Sequence, residues 1–490
     1  MLSSPTVTLV GALSVAFLVV RYFAQLHHHR KQSKALHCKP ARSGSSGFFG
    51  IPGFTRLTKA VREKRWIEHL YNEYTVYGNT YKQTFLSRNL ITTIEPENVK
   101  AILATQFKDF SLGTRHQQFY PLLGDGIFTL DGAGWSHARG LLRPQFTRDQ
   151  VADLSMLDDH ISNLIDLIPK DRSSFDIQRL FFLLTLDSAT HFLFGESVGA
   201  QGFAHAFGTA QDYLAARSRA QGLYWVVNPK EFREASRQVH EVVDHYVNLA
   251  LESKRDPEKK IDGRYIFLEA LAADTDDPKM LRDNMLNILL AGRDTTASLL
   301  SSTFFYLSRH PNVWNRLRRE IVEVFGDAKN PRSEMTQTKL KDIPYLRYVL
   351  NEVLRLQPPV PVNFRVSTKD TSLPVGGGAD QQSPVYIKKG TMVAYSVYAM
   401  HRRTDLRGKG RDFLPARALG GKREAWLGIP SFQWRPAHLS WTYTVVRLMQ
   451  RFDTLENADP HPREEPIKLS NLTMSHDLGV PIRLYSSDKI

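Results

Sequence analysis

Three short groups of residues have the types and spacing to do chemistry. Gly292, Asp294 and Thr295 lie in Ala291-Gly292-Arg293-Asp294-Thr295-Thr296-Ala297, a polar interruption of a long apolar stretch. Glycine and consecutive threonines are poor helix formers, so helix propensity is given up at this point. A glycine lets a flat group approach a helix backbone, and a threonine beside a carboxylate can relay protons. The competing account is structural: threonine hydroxyls that bond back to carbonyls one turn earlier. Glu352-Val353-Leu354-Arg355 is an i, i+3 ion pair on one helix, of a kind worth only ~0.2–0.5 kcal/mol at a surface. Trp135 and Arg139 stand four apart, so they share a helix face and can present an indole N–H and a guanidinium to one anion. Taken singly, these groups read better as an ordinary helix, a surface pair and a solvated arginine.

The scaffold these groups require is legible in the hydrophobic pattern. From about residue 97 to 357, apolar residues recur at three- and four-residue spacing, as in Val243–Leu251 and Leu286–Leu307, which predicts helices. Pro358, Pro359 and Pro361 end that run. Strand-like runs at Tyr81–Leu86 and Leu90–Ile94 flank a Ser87-Arg88-Asn89 turn. Further strands are expected at Val385–Ile387 and Met392–Ser396, with a last hairpin near Leu472–Leu484. The pattern predicts a mainly α fold with small β-sheets at two places, in one large domain over 54–490.

Two segments precede that domain. Between Thr6 and Val20 the only polar residues are Thr6, Thr8 and Ser14. Extended past Arg21 to Leu26, the run reaches the ~20 residues that a bilayer-spanning helix needs, with Arg21 able to snorkel. Residues 1–26 are therefore expected to be a membrane anchor. A removed signal peptide is the weaker reading, because no convincing small-residue cleavage site follows. The basic residues after the span, Arg30, Lys31, Lys34, Lys39 and Arg42, place the rest of the chain in the cytosol. His27–His29 read as part of this solvated flank rather than as a metal site. Pro40, Gly44, Gly47, Gly50, Pro52 and Gly53 complete a basic, Pro/Gly-rich linker over 27–53.

Bulk composition narrows the partners. The formal charge of +14 suits an anionic membrane surface or an acidic protein partner. No nucleic-acid motif, zinc-type Cys/His spacing or repeat accompanies it, so nucleic acid is not expected. The single cysteine, Cys38, excludes an intrachain disulfide framework and fits a reducing compartment.

Order adds what single motifs lack. Trp-x-x-x-Arg, then Ala-Gly-Arg-Asp-Thr-Thr, then Glu-x-x-Arg with Pro358-Pro359, then Phe413-Leu414-Pro415-Ala416-Arg417, resembles the motif order of the cytochrome P-450 (haem-thiolate monooxygenase) family from about residue 50 to the C-terminus. Leu142-Arg143-Pro144-Gln145-Phe146, the Ala-Gly-Arg-Asp-Thr-Thr-Ala form and Leu472-Thr473-Met474-Ser475-His476 are similar to the fungal microsomal members that hydroxylate n-alkanes and fatty acids. The resemblance implies haem b as cofactor. Trp135, Arg139 and Arg365 would contact its propionates, and Asp294 with Thr295 would be the acid–alcohol pair delivering protons to iron-bound oxygen. Glu352, Arg355 and Arg417 would form a buried charge triad on the proximal side. It further implies NADPH as electron source through NADPH-cytochrome P-450 reductase, a lipid-like substrate, and single-pass attachment to the endoplasmic reticulum membrane.

Three departures stand against that pattern. Ala416 and Ala418 replace the usual Glu and aromatic residue around Arg417. More seriously, the family loop Phe-x-x-Gly-x-Arg-x-Cys-x-Gly, whose thiolate ligates the iron, has no counterpart. The stretch from Trp426 to Trp441 contains no cysteine. Shifted by one base, however, the Trp426–Leu427, Trp434–Arg435 and Trp441–Thr442 pairs each force Gly, and Leu439–Ser440 permits Cys. The whole run Gly-Trp-Glu-Tyr-Leu-Pro-Phe-Asn-Gly-Gly-Pro-Arg-Ile-Cys-Leu-Gly is permitted. Residues 426–441 thus read as the haem loop out of frame, with the normal frame resuming near Tyr443 and the first turns of the last helix missing. Function then divides three ways: a membrane-bound lipid hydroxylase, a tailoring monooxygenase of a fungal secondary-metabolite pathway, or a non-catalytic remnant.

Overall fold

In the computed structural model, residues 4–44, 47, 50–85, 88–146, 154–198, 201–256, 266–407, 413, 415, 435–461 and 463–487 are described. They fall into two units, one formed by 1–58, 70–111 and 364–396, the other by 59–69, 112–363 and 397–490. The architecture is mainly helical with small sheets.

The first unit begins with helix α1, Ser4–Ala35, which continues through the histidine triplet and the basic residues after it. Leu13, Val15, Phe17, Val20 and Phe23 stand exposed along it. No helix among the described residues is long and apolar enough to cross a membrane. The sheet comprises β1 (Arg42–Ser43), β2 (Thr80–Phe85), β3 (Arg88–Thr93), β4 (Phe110–Ser111), β5 (Val362–Ser367) and β8 (Met392–Ser396), ordered β1-β2-β3-β8-β5-β4. Between β5 and β8 the hairpin β6 (Thr371–Gly377) and β7 (Ser383–Ile387) pairs Leu373 with Val385. Register differs from expectation at one turn. Phe85 already faces Arg88, so Arg88 and Asn89 belong to β3, and the intervening residues 86 and 87 lie outside the described residues. β3 runs parallel to β8, with Ile91 opposite Val393, and both side chains are buried.

The second unit is built on α2 (Gly132–Leu142), α3 (Ile177–Phe194), α4 (Gln201–Ala220), α5 (Lys230–Arg255), α6 (Pro278–Arg309), α7 (Pro311–Phe325), α8 (Pro344–Leu356) and α9 (Arg435–Arg451). α6 is central. Its start is set by Asp277, whose carboxylate accepts from the N–H groups of Lys279 and Met280, and by Pro278 at the first position. Pro311 stops it, because the residue before a proline is pushed out of the helical region. The helix is buried on almost every side, polar residues such as Asn287, Asp294 and Ser302 included, so its apolar residues do not form a single stripe. One core cluster gathers the C-terminal half of α6 with α7, α8 and α9; a second gathers its N-terminal half with α4 and α5.

Polar side chains of α6 fix the segment that leads into α2. Asp283 accepts the backbone N–H of Asp125 at 2.8 Å, and Asn287 bonds Phe128 N and Leu123 O at 3.1 and 2.9 Å. Asp131, which caps α2, accepts the N–H of Leu112. The last hairpin is tighter than expected: β9 (Lys468–Ser470) pairs β10 (Met474–His476), while Pro481–Tyr485 pairs instead with Thr454–Asn457.

Candidate active site

The middle of α6 carries the first group. A Cβ built on Gly292 would meet nothing within 4 Å, so this glycine keeps one face of the helix clear. Asp294 is buried, with Arg293 NH1 3.3 Å from its Oδ1, and that oxygen accepts no hydrogen bond. Burial pushes its carboxyl above the ordinary range, opposed by the Arg293 guanidinium. Arg293 also donates to Gln211 Oε1 at 3.3 Å and lies over the rings of Phe182 and Phe207. The Thr295 hydroxyl donates back to Ala291 O at 2.7 Å, which is the helical back-bond weighed against the relay. No hydrogen bond joins Asp294 to Thr295.

Sequence reasoning missed the neighbours of this carboxylate. Asp212 on α4 is itself raised by burial and by the Asp294 charge, with Arg219 and Asn471 on its other side. One turn beyond Thr295, Ser298 donates to Met474 O and Ser302 bonds His476 Nε2 at 3.0 Å. The Leu472–His476 motif is therefore the piece of β9–β10 that docks on α6. Burial, reinforced by Lys468 and Arg309, holds the His476 imidazole down at about 3. No local signal marks Asp212, because its relation to Asp294 comes only from the packing of α4 on α6.

The Glu352–Arg355 pair is not on the surface. Both residues are 5% exposed. Arg355 donates Nε and NH2 to the two Glu352 oxygens at 2.8 and 2.9 Å, and NH1 to His401 O at 3.2 Å. That fork-on-carboxylate geometry is the strong form of the interaction. Arg417, expected as the third member, lies outside the described residues. Trp135 and Arg139 do share a face of α2: the guanidinium carbon is 5.3 Å from the indole centroid, and both residues are half-buried. Arg365 belongs to the first unit, on β5, where it donates to Phe364 O at 2.8 Å.

The segment expected as a displaced loop divides in two. Residues 426–434 lie outside the described residues, whereas 435–441 form the first turns of α9. Pro436 is tolerated near a helix start, and Leu439 and Trp441 are buried, with the Trp441 indole N–H donating to Thr303 Oγ1 at 2.8 Å. Leu439 and Ser440, across which the shifted frame permits Cys, are both helical here. Burial, with Lys341 and Arg347 nearby, lowers the pKa of His438, also on α9.

The sequence pattern described as "Cytochrome P-450" matches residues 50–434. The chain is 46% identical over 467 residues to cytochrome P-450 52A13 of Debaryomyces hansenii, covering 89% of this chain and 90% of that protein. It is 47% identical over 428 residues to cytochrome P-450 52A1 of Candida tropicalis, covering 81% and 78%. With cytochrome P-450 52A3-B of Candida maltosa it shares 41% over 508 residues, covering 96% and 95%. These likenesses define a haem-dependent monooxygenase, an oxidoreductase by class. The chain belongs to the cytochrome P-450 family.

The family implies a haem iron, and the residues present meet that requirement only in part. Gly292 leaves room beside α6, and Asp294 Oδ1 accepts no hydrogen bond, although the Arg293 guanidinium lies beside it. The proximal thiolate is missing. Cys38, the one cysteine, directs its Sγ to Leu36 O, and the stretch from Trp426 to Trp441, where the family places its ligand, holds none. The chain as it stands therefore does not supply a haem-thiolate site.

Proposed function

We propose that this chain is a membrane-anchored monooxygenase for long-chain lipids of the n-alkane and fatty-acid type, whose haem loop has been lost between residues 426 and 441. The observation that carries the reading is the middle of α6, where Gly292 leaves open space beside a buried carboxylate and the Leu472–His476 hairpin docks one turn away. Residues 1–26 serve as a single-pass anchor in the endoplasmic reticulum membrane, 27–53 as a linker, and 54–490 as the catalytic domain on the cytosolic side. The exposed apolar side chains of α1 support this, since water does not favour such a surface. Haem b would be contacted at its propionates by Trp135, Arg139 and Arg365, with Asp294 and Thr295 as the polar pair on α6 and Glu352, Arg355 and Arg417 as the structural triad. NADPH-cytochrome P-450 reductase is the electron source; a net charge of +14 favours docking to an acidic face. Without a thiolate, the chain as it stands does not hydroxylate.

The test compares two chains expressed with the reductase: this one, and one in which 426–441 is read one base out and the loop and helix start are restored. The restored chain is expected to give the thiolate-type Soret band of a reduced, CO-bound haem and to hydroxylate a long-chain fatty acid. The present chain should do neither. A thiolate-type spectrum from the present chain, or codons that cannot encode Cys across Leu439–Ser440, would overturn the reading.

A further inference from the structure

The histidine triplet is not simply a solvated flank. His28 Nε2 lies 3.5 Å from Asp370 Oδ2, and His29 Nδ1 lies 3.3 Å from the same oxygen. One ligand-type atom from each of the three residues falls within 4.8 Å of the others. A tetrahedral ion with bonds of about 2.0–2.1 Å holds its ligand atoms about 3.3–3.4 Å apart, so both measured separations match an edge of that tetrahedron. Two imidazoles and one carboxylate are also a donor set that zinc-class ions prefer.

The carboxylate is held in place by groups outside the trio. Tyr386 on β7 donates its hydroxyl to Asp370 Oδ2 at 2.6 Å, and the Lys389 N–H donates to Oδ1 at 2.8 Å. Hydrogen bonds to the carboxylate orient a metal-ligating group, whereas the Tyr386 oxygen 3.0 Å from His29 Nδ1 is a contact that an ion at that nitrogen would displace. The His28 side chain is 58% exposed, against 22% for His29 and 24% for Asp370, so water can reach a fourth position. His27, the remaining imidazole, is exposed and not in the cluster. All of these residues lie in the first unit.

We propose that His28, His29 and Asp370 bind a divalent transition-metal ion of the zinc class, with water as fourth ligand and Tyr386 and the Lys389 N–H as supporting shell. The ion fastens the C-terminal half of α1 to the turn before β6 and to the β7 strand. Sequence spacing alone could not reveal the site, because Asp370 stands more than three hundred residues from the triplet and only the fold brings them together. The competing account is an ion pair between imidazolium and carboxylate that needs no metal.

Full-length protein in detergent, stripped of metal, would be titrated with Zn2+ against a chromophoric chelator, and separately loaded with Co2+. One equivalent of zinc should bind in competition with the chelator, and Co2+ should give the intense visible band of tetrahedral coordination. His28→Ala, His29→Ala and Asp370→Asn should each weaken zinc binding tenfold or more and abolish the cobalt band, with far-UV circular dichroism unchanged. His27→Ala should leave both readouts intact. Failure of the wild-type chain to take up zinc, retention of binding in Asp370→Asn, or equal loss in His27→Ala would each overturn the proposal.

Discussion

At the residue scale, the ion pair that reads in sequence as an ordinary surface contact is buried. Glu352 and Arg355 form a buried bidentate pair, and removing one partner strands the other in a low-dielectric interior. Arg355→Ala is expected to destabilise the chain by about 3–5 kcal/mol, seen as a lower midpoint in urea unfolding and poor accumulation of folded protein. An unshifted midpoint would return the pair to the status of a surface contact. His476 makes a pH prediction. Its folded imidazole is held at about 3 against an ordinary value of 6.5, so the unfolded chain takes up a proton that the folded chain refuses. Its contribution is complete above about pH 6.5 and is lost as pH falls from there toward 3, on the order of 1 kcal/mol per pH unit. Replacing it with Gln should reduce that acid-side slope by one proton's worth in urea titrations at successive pH values. An unchanged slope would mean the imidazole protonates inside the fold.

At the element scale, α6 gives up stability for open space. The Gly292 Cβ position is empty, so Gly292→Ala should stabilise the present chain by about 0.5–1 kcal/mol, the usual gain for a helix interior. Gly124 provides the contrast. Its φ is +55°, and a Cβ there would lie 2.1 Å from the Asp283 carboxylate. Gly124→Ala should therefore destabilise by more than Gly292→Ala stabilises, since both strain and a lost hydrogen bond follow. Thermal melts of the two variants check this pair of signs; a destabilised Gly292→Ala would show that the glycine is needed for packing. α9 follows a different logic. Its first turns are made of residues 435–441, where Leu439 and Trp441 are buried and supply the apolar surface that packs. The sequence pattern of the loop was readable, but its helical state was not, because a proline and a run of mixed polarity carry no strong local preference.

At the scale of the whole molecule, α1 projects apolar side chains that nothing in its own unit covers. Deleting residues 1–39 is expected to move most of the protein from the microsomal pellet to the supernatant after expression in yeast. Full-length protein that is itself soluble without detergent would sink the anchor. Net positive charge acts at the same scale: association with an acidic reductase should weaken as ionic strength rises through the range where the Debye length falls below ~10 Å.

The sequence by itself determined the mainly helical plan, the end of the helical run at Pro358, Pro359 and Pro361, and the order of motifs, because these follow from periodicity and proline placement, which are local. It also determined that the stretch from Trp426 to Trp441, where the family places its iron ligand, holds no cysteine. Tertiary structure decided the rest. It buried Glu352 and Arg355, set Asp212 beside Asp294 through the packing of α4 on α6, docked the Leu472–His476 motif on the turn after Thr295, and brought Asp370 to the histidines of α1. Each of these depends on contacts between residues far apart in the chain, whose energies arise from burial and desolvation that no local spacing encodes.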